Sequence, residues 1–237
     1  MADNKPKIEE EHFKMYIDPK YKDNKDRNCK EYFSLITNSG VHVLCNTLET
    51  NDIFILSMGK PNSLSISQRQ IKELQKLRLC GLAFKDNDTL IICGGLNEEL
   101  DVVTNACYEY SISKNEVKRL PDMITERWKF VIFYQDDKIY VFGGDDDDDY
   151  YIKNCEYFDF TTKKWIRMAD LNRRQSGGSV INYKDEFWLI GEFIIDSKGY
   201  LIERYIRSKN LWEIVDIKFS FKFCRPVFCC HLVKTKF

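Results

Sequence analysis

Residues 138–165 read KIYVFGGDDDDDYYIKNCEYFDFTTKKW, and weaker copies of this wording lie before and after them. A short apolar run ends in Gly143-Gly144, an acidic loop follows, and Phe158-Asp159 leads to Trp165. Such a recurrence constrains the fold more than any other feature. A short repeated unit cannot bury its own apolar faces and must stack on its copies. Trp165 and Trp212 are 47 residues apart, and steps of 48 and then 46 back from Trp165 reach Val117 and Ile71. Seven residues before these four positions stand Leu64, Tyr110, Phe158 and Tyr205; three after them stand Leu74, Leu120, Met168 and Val215. Local wording repeats too, since YSISKNEVKRL at 110–120 mirrors LSISQRQIKEL at 64–74.

The remainder of each unit falls into the same frame. TLIICGG, KIYVFGG and EFWLIGE bring their first glycines to Gly94, Gly143 and Gly191, with DIFILSMG in the corresponding place of the first unit. Ahead of these come VHVLC, CGLAF, FVIFY and SVINY, joined to them through the turn formers ETND, KDND, QDD and KDE. Paired apolar runs around such residues predict hairpins, so each unit is expected to be four short strands. The expected layout is a polar tail at 1–28 and a repeat region at 29–237. Its units lie near 41–77, 78–126, 127–173 and 174–219, with a partial strand, RPVFCCHLV, at 225–233. KEYFSLI at 30–36 reads as a strand left over from an earlier unit. Within 70–79, Ile71, Leu74 and Leu77 also fit helical spacing, but the column shared with Trp165 favours a strand.

Composition excludes some functions. The 36 basic and 37 acidic residues nearly cancel, so the charge excess expected of a nucleic-acid binder is missing. No apolar run approaches the roughly 20 residues of a membrane span, and the polar start does not resemble a secretory signal. Nine scattered cysteines, several inside apolar runs, suit reduced thiols and a cytoplasmic location.

The sequence of apolar strand, Gly-Gly, aromatic-Asp and Trp six residues later resembles the kelch repeat. Gly143, Gly144, Phe158, Asp159 and Trp165 match it in full. The second unit keeps Gly94, Gly95 and Tyr110 with Ser111 and Val117 in the other places; the fourth keeps Gly191, Tyr205 and Trp212 with Glu192 after the glycine. The resemblance implies an all-β, kelch-type β-propeller of about four recognisable four-stranded blades, incomplete or open, with Gly-Gly and Trp as blade packing. The wording is similar to that of shortened poxviral kelch-like proteins lacking a BTB domain. It further implies a non-enzymatic protein-binding module, such as a recognition arm, adaptor or competitor in cullin-3 ubiquitin ligase biology. Actin binding is the alternative, and a copper oxidase of the propeller type is a third reading. Open blade edges would also allow self-association.

An arginine recurs at the entrance to each unit's first strand: Arg78, Arg127, Arg174 with Arg173 beside it, and Arg225. By the resemblance, these are the expected contacts to acidic segments of a protein partner, for which the guanidinium fork is suited. The run at 145–149 is expected to be a solvated loop, since five adjacent carboxylates repel one another and lack the spacing of a calcium loop. Cys224, Cys229, Cys230 and His231 do not suggest a metal site, because adjacent strand residues point to opposite faces. Cys107 and Cys155 share a column and read as a small apolar packing position. No catalytic constellation, metal or cofactor is expected.

Overall fold

A computed structural model of the chain describes Ile71 and residues 77–215 except 87, 98, 149 and 194–198. It also gives four earlier strands as backbone: β1 (Glu31–Thr37), β2 (Gly40–Asn46), β3 (Ile53–Met58) and β4 (Leu64–Arg69). Next come β5 (Leu77–Arg78), β6 (Gly81–Phe84), β7 (Thr89–Cys93), β8 (Leu96–Asn97), β9 (Val102–Val103), β10 (Cys107–Ser111) and β11 (Glu116–Leu120). The third unit holds β12 (Val131–Gln135), β13 (Lys138–Phe142), β14 (Cys155–Asp159) and β15 (Lys164–Arg167). The fourth holds β16 (Ser176–Tyr183), β17 (Glu186–Phe193), β18 (Gly199–Ile206) and β19 (Leu211–Val215). Each group forms a four-stranded antiparallel sheet, while β5, β8 and β9 make a small separate one. These are blades of a partial β-propeller.

Two-residue periodicity explains the stacking. In β7, Leu90 and Ile92 join one apolar layer with Ile71, Leu77 and Tyr110. Ile91 and Cys93, on the other face, pack with Phe130, Ile132, Ile139, Val141 and Phe158 of the third blade. That blade turns Val131, Phe133, Tyr140 and Phe142 toward Val180, Phe187, Leu189 and Trp212 of the fourth. A strand buried on both sides carries consecutive apolar residues, which is why TLIIC and KIYVF show no polar alternation. The first strand β12 neighbours both other first strands, β6 and β16, so the first strands lie innermost.

The first sheet begins earlier than its wording suggests. EYFSLIT (Glu31–Thr37) is its first strand, paired with GVHVLCN (Gly40–Asn46) across Thr37↔Gly40, and LSISQR is its fourth. Each strand of that unit therefore moves one place, and the sheet spans 31–69 rather than 41–77. The reason is that this unit has neither a Gly-Gly nor a Trp to fix the register. Ile71 leaves the sheet altogether and packs beneath the second blade, and Leu77–Arg78 is the described strand within 70–79.

Candidate functional site

The glycine pairs position the loops that enter each blade. Gly143 and Gly144 have φ of 58° and 107°, a region that side chains rarely occupy. A Cβ on Gly143 would lie 2.5 Å from the carbonyl oxygen of Gln175. Without one, the next blade's entry loop comes close enough for Gly144 N–H to donate to that oxygen at 3.0 Å. Gly95 N–H donates in the same way to Arg127 O, at 2.9 Å. The glycines thus act at the end of the second strand, where they make room for a neighbouring entry loop.

A buried carboxylate fixes each loop from below. Glu156 accepts the backbone N–H groups of Ile124 and Thr125 at 2.7 and 3.1 Å. Glu203, 47 residues later, accepts those of Asn172 and Arg173 at 2.8 and 3.0 Å. Both glutamates are completely buried. The indole N–H of Trp165 donates to Pro121 O and that of Trp212 to Ala169 O, tying the linker to the outer strand. Glutamates in an apparently exposed strand alternation gave no signal of this role in the sequence.

The expected partner arginines separate into different environments. Arg127 is 0% exposed. Its guanidinium donates to Gly143 O at 2.7 Å, Asn154 O at 2.8 Å and Glu156 Oε1 at 2.8 Å. Burial pulls its pKa below the usual value, while Glu156 opposes that fall. As a partner contact Arg127 is therefore corrected: every strong donor direction is spent inside the blade junction. Arg173 and Arg174 are exposed, on the loop clamped by Glu203. Arg78 has its backbone in β5, paired with Leu96, and Arg225 lies outside the described residues. The residue in Arg127's place one blade on is Gln175 rather than Arg174.

The acidic loop is also more ordered than expected. Asp145 is only 3% exposed, and its Oδ2 lies 3.4 Å from Lys129 Nζ. Asp146 Oδ1 accepts the N–H groups of Asp148 and Tyr150. Asp147 Oδ1 accepts Val103 N–H at 2.8 Å, fastening the third blade's loop to the β8–β9 hairpin of the second. Asp145 is thus not solvated, whereas Asp147 and Asp148 are exposed as expected of a solvated loop; Asp149 lies outside the described residues. Leu100, Ile124 and Tyr150 are exposed, and Lys129 Nζ sits 3.9 Å from the Trp128 ring centroid. Cys107 and Cys155 are buried free thiols in matching places, as packing residues. Cys224, Cys229, Cys230 and His231 lie outside the described residues.

Taken together, the four-stranded antiparallel sheets stacked around first strands define a β-propeller repeat protein. Comparison with known proteins agrees. Residues 132–172 match the family model described as Kelch motif. The Kelch repeat proteins C2 of camelpox virus (strain CMS) and vaccinia virus (strain Western Reserve) are each 22% identical over 212 residues, covering 84% of this chain and 40% of theirs. Kelch-like protein 41a of Danio rerio is 29% identical over 119 residues, covering 50% of this chain and 20% of its own. This chain therefore spans well under half the length of those relatives. The solved structure titled "Structure of YjhT" superposes with a TM-score of 0.64 at 16% identity, over 81% of this chain and 67% of that one. The chain carries a kelch motif at residues 132–172 and is similar to kelch-repeat proteins. Among the described residues, no helix is long and apolar enough to cross a membrane.

Proposed function

We propose that this chain is a non-enzymatic protein-binding module whose entry loops receive an acidic segment of a protein partner. The observation that carries the reading is the loop at Arg173 and Arg174. Glu203 holds its backbone through Asn172 and Arg173, so two exposed guanidinium groups project from a support that is already ordered. Preorganised donors lose little freedom on binding, and guanidinium is the natural partner for carboxylates. Likeness to kelch-like proteins further supports a place as recognition arm, adaptor or competitor for a cullin-3 ubiquitin ligase.

The test is affinity capture from cells with the wild-type chain and an Arg173→Ala/Arg174→Ala variant. The variant is expected to keep its unfolding temperature and retain at least tenfold less of a partner that high salt also releases. Equal retention by the two proteins would refute the role of the loop. Adding the chain to a reconstituted cullin-3 reaction then reads whether the captured partner's ubiquitination rises, as for an adaptor, or falls, as for a competitor.

A further inference from the structure

Cys93, at the end of β7, and Cys107, at the start of β10, stand directly opposite each other in the second blade. The backbone bonds say how close they come. Gly94 N–H donates to Ala106 O at 2.8 Å and Ile112 N–H to Asp88 O at 2.8 Å, so the bonded pairs of this ladder fall at even residue numbers along 88–94. Cys93↔Cys107 is therefore a non-hydrogen-bonded pair, the closer of the two kinds, with about 4.5 Å between Cα atoms. A disulfide spans roughly 4.4–6.8 Å between Cα atoms. Both residues are completely buried free thiols in the layer shared with the third blade.

Two other buried cysteines set this pair apart. Cys80 packs in the layer on the opposite side of the sheet, with Ile71, Leu77 and Leu90. Cys155 holds the place of Cys107 one blade on, and its thiol donates to Lys153 O as that of Cys107 donates to Asn105 O. Opposite Cys155, however, stands Phe142, where the second blade has Cys93.

We propose that Cys93 and Cys107 form an oxidation site, a dithiol that a hydroperoxide converts to a reversible cross-strand disulfide. Attack of one sulfur on the peroxide breaks its O–O bond and gives a sulfenic acid and water. The second thiol displaces the sulfenic hydroxyl as another water and forms the S–S bond. Two thiols thus lose two electrons and two protons, and the peroxide takes them up as two waters. Burial pushes the Cys93 thiol well above its ordinary range, and Cys107 beside it adds to the rise. The first step is accordingly slow and confined to brief openings of the blade. The second is fast, because its partner is already in place. The link closes the base of residues 94–106, which carry the β8–β9 hairpin held by Asp147.

The test uses the wild-type full chain. Iodoacetamide first caps the accessible thiols under native conditions, hydrogen peroxide is then added at neutral pH, and remaining thiols are trapped with N-ethylmaleimide in denaturant. Glutamyl endopeptidase cuts at Glu98 and Glu99, between the two cysteines, so mass spectrometry reads the link as a joined peptide pair. A Cys93–Cys107 link is expected at a yield at least tenfold above any link of Cys155. Dithiothreitol should reverse it and Cys80→Ser should leave it intact. Recovery of both cysteines unlinked, as thiols or as sulfinic acids, overturns the proposal. So does a preferred link of Cys93 to Cys80, or linkage of Cys155 at equal yield.

Discussion

Arg127 and Gln175 occupy one position in two successive blades, and each offers its carbonyl to the second glycine position of the blade before, Gly95 or Gly144. Their side chains do different work. Arg127 reaches Gly143 O, Asn154 O and Glu156, whereas both amide atoms of the buried Gln175 lack a partner among the described residues. Glu203 still holds its two backbone N–H groups at that junction. Loop clamping at these two junctions therefore depends on the glutamate, and the arginine is an addition at the first of them.

Removing Arg127 should be costly because it leaves the Glu156 carboxylate buried without its cation. Loss of one partner from a buried pair costs about 3–5 kcal/mol. Arg127→Ala should therefore lower the thermal midpoint markedly, while Arg127→Met with Glu156→Gln should recover much of the loss by removing both charges and keeping an acceptor. An unchanged midpoint for Arg127→Ala would contradict its structural role and return it to the surface candidates.

Gly143→Ala tests the loop approach separately. The left-handed conformation alone costs a side chain about 1–2 kcal/mol, and the new Cβ would press on Gln175 O, 2.5 Å away. The carbonyl cannot yield without breaking its bond from Gly144 N–H. A fall in the urea midpoint by the equivalent of about 2 kcal/mol or more is expected, by the sum of strain and contact.

These residues also show what could be read from the chain. Gly143, Gly144, Phe158 and Trp165 announced the blade because the backbone conformation and the outer packing position each demand a narrow set of residues. Where those demands are relaxed, as in the first sheet, the register slipped by one strand. Arg127 and Arg174 looked equivalent because both precede a first strand. Only the hydrogen bonds distinguish a position pointing into the junction from one pointing out, and a one-residue shift reverses that direction. Asp145 misled for a similar reason: a run of aspartates looks solvated until one of them meets Lys129, with Asp146 and Asp147 accepting backbone N–H groups beside it.

The Trp column should not be energetically uniform. Trp212 is 2% exposed and packs edge-on against Phe142 at 5.2 Å between centroids, while Trp165 lies at a partly exposed edge of its layer. Trp212→Ala should cost about 3–5 kcal/mol, and Trp165→Ala distinctly less. Chemical denaturation of the two variants side by side checks the order.

Acid should weaken the second blade through Glu109. Burial works to raise its carboxyl, but hydrogen bonds from Lys85 and Lys118 outweigh that and hold it below the usual carboxylate range. A depressed folded pKa means stability that is present above the unfolded value of about 4.3 and is lost as pH falls through the folded value. Glu109→Gln should therefore reduce stability at pH 7 and flatten its decline below pH 4, measured as thermal midpoint against pH. Parallel wild-type and variant curves would show that the two lysines contribute nothing there.

Alkali should act through the buried thiols. Burial pushes Cys155 up to about 12, only partly countered by the Arg127 charge nearby. In the unfolded chain the thiol ionises near about 8.5. With the folded value raised, the contribution to stability is complete below about pH 8.5 and declines as pH rises from there through about 12. Two outcomes follow for the same side chain. Cys155→Ala should lessen the alkaline loss of stability, even though it opens a small void. At pH 8.5, iodoacetamide should modify Cys155 only as fast as the chain unfolds, because the thiolate is the reactive form and the folded protein holds almost none of it. Labelling that outruns unfolding, measured against hydrogen exchange of the β13–β14 amides, would mean that this blade opens locally and that its layer is looser than its burial implies.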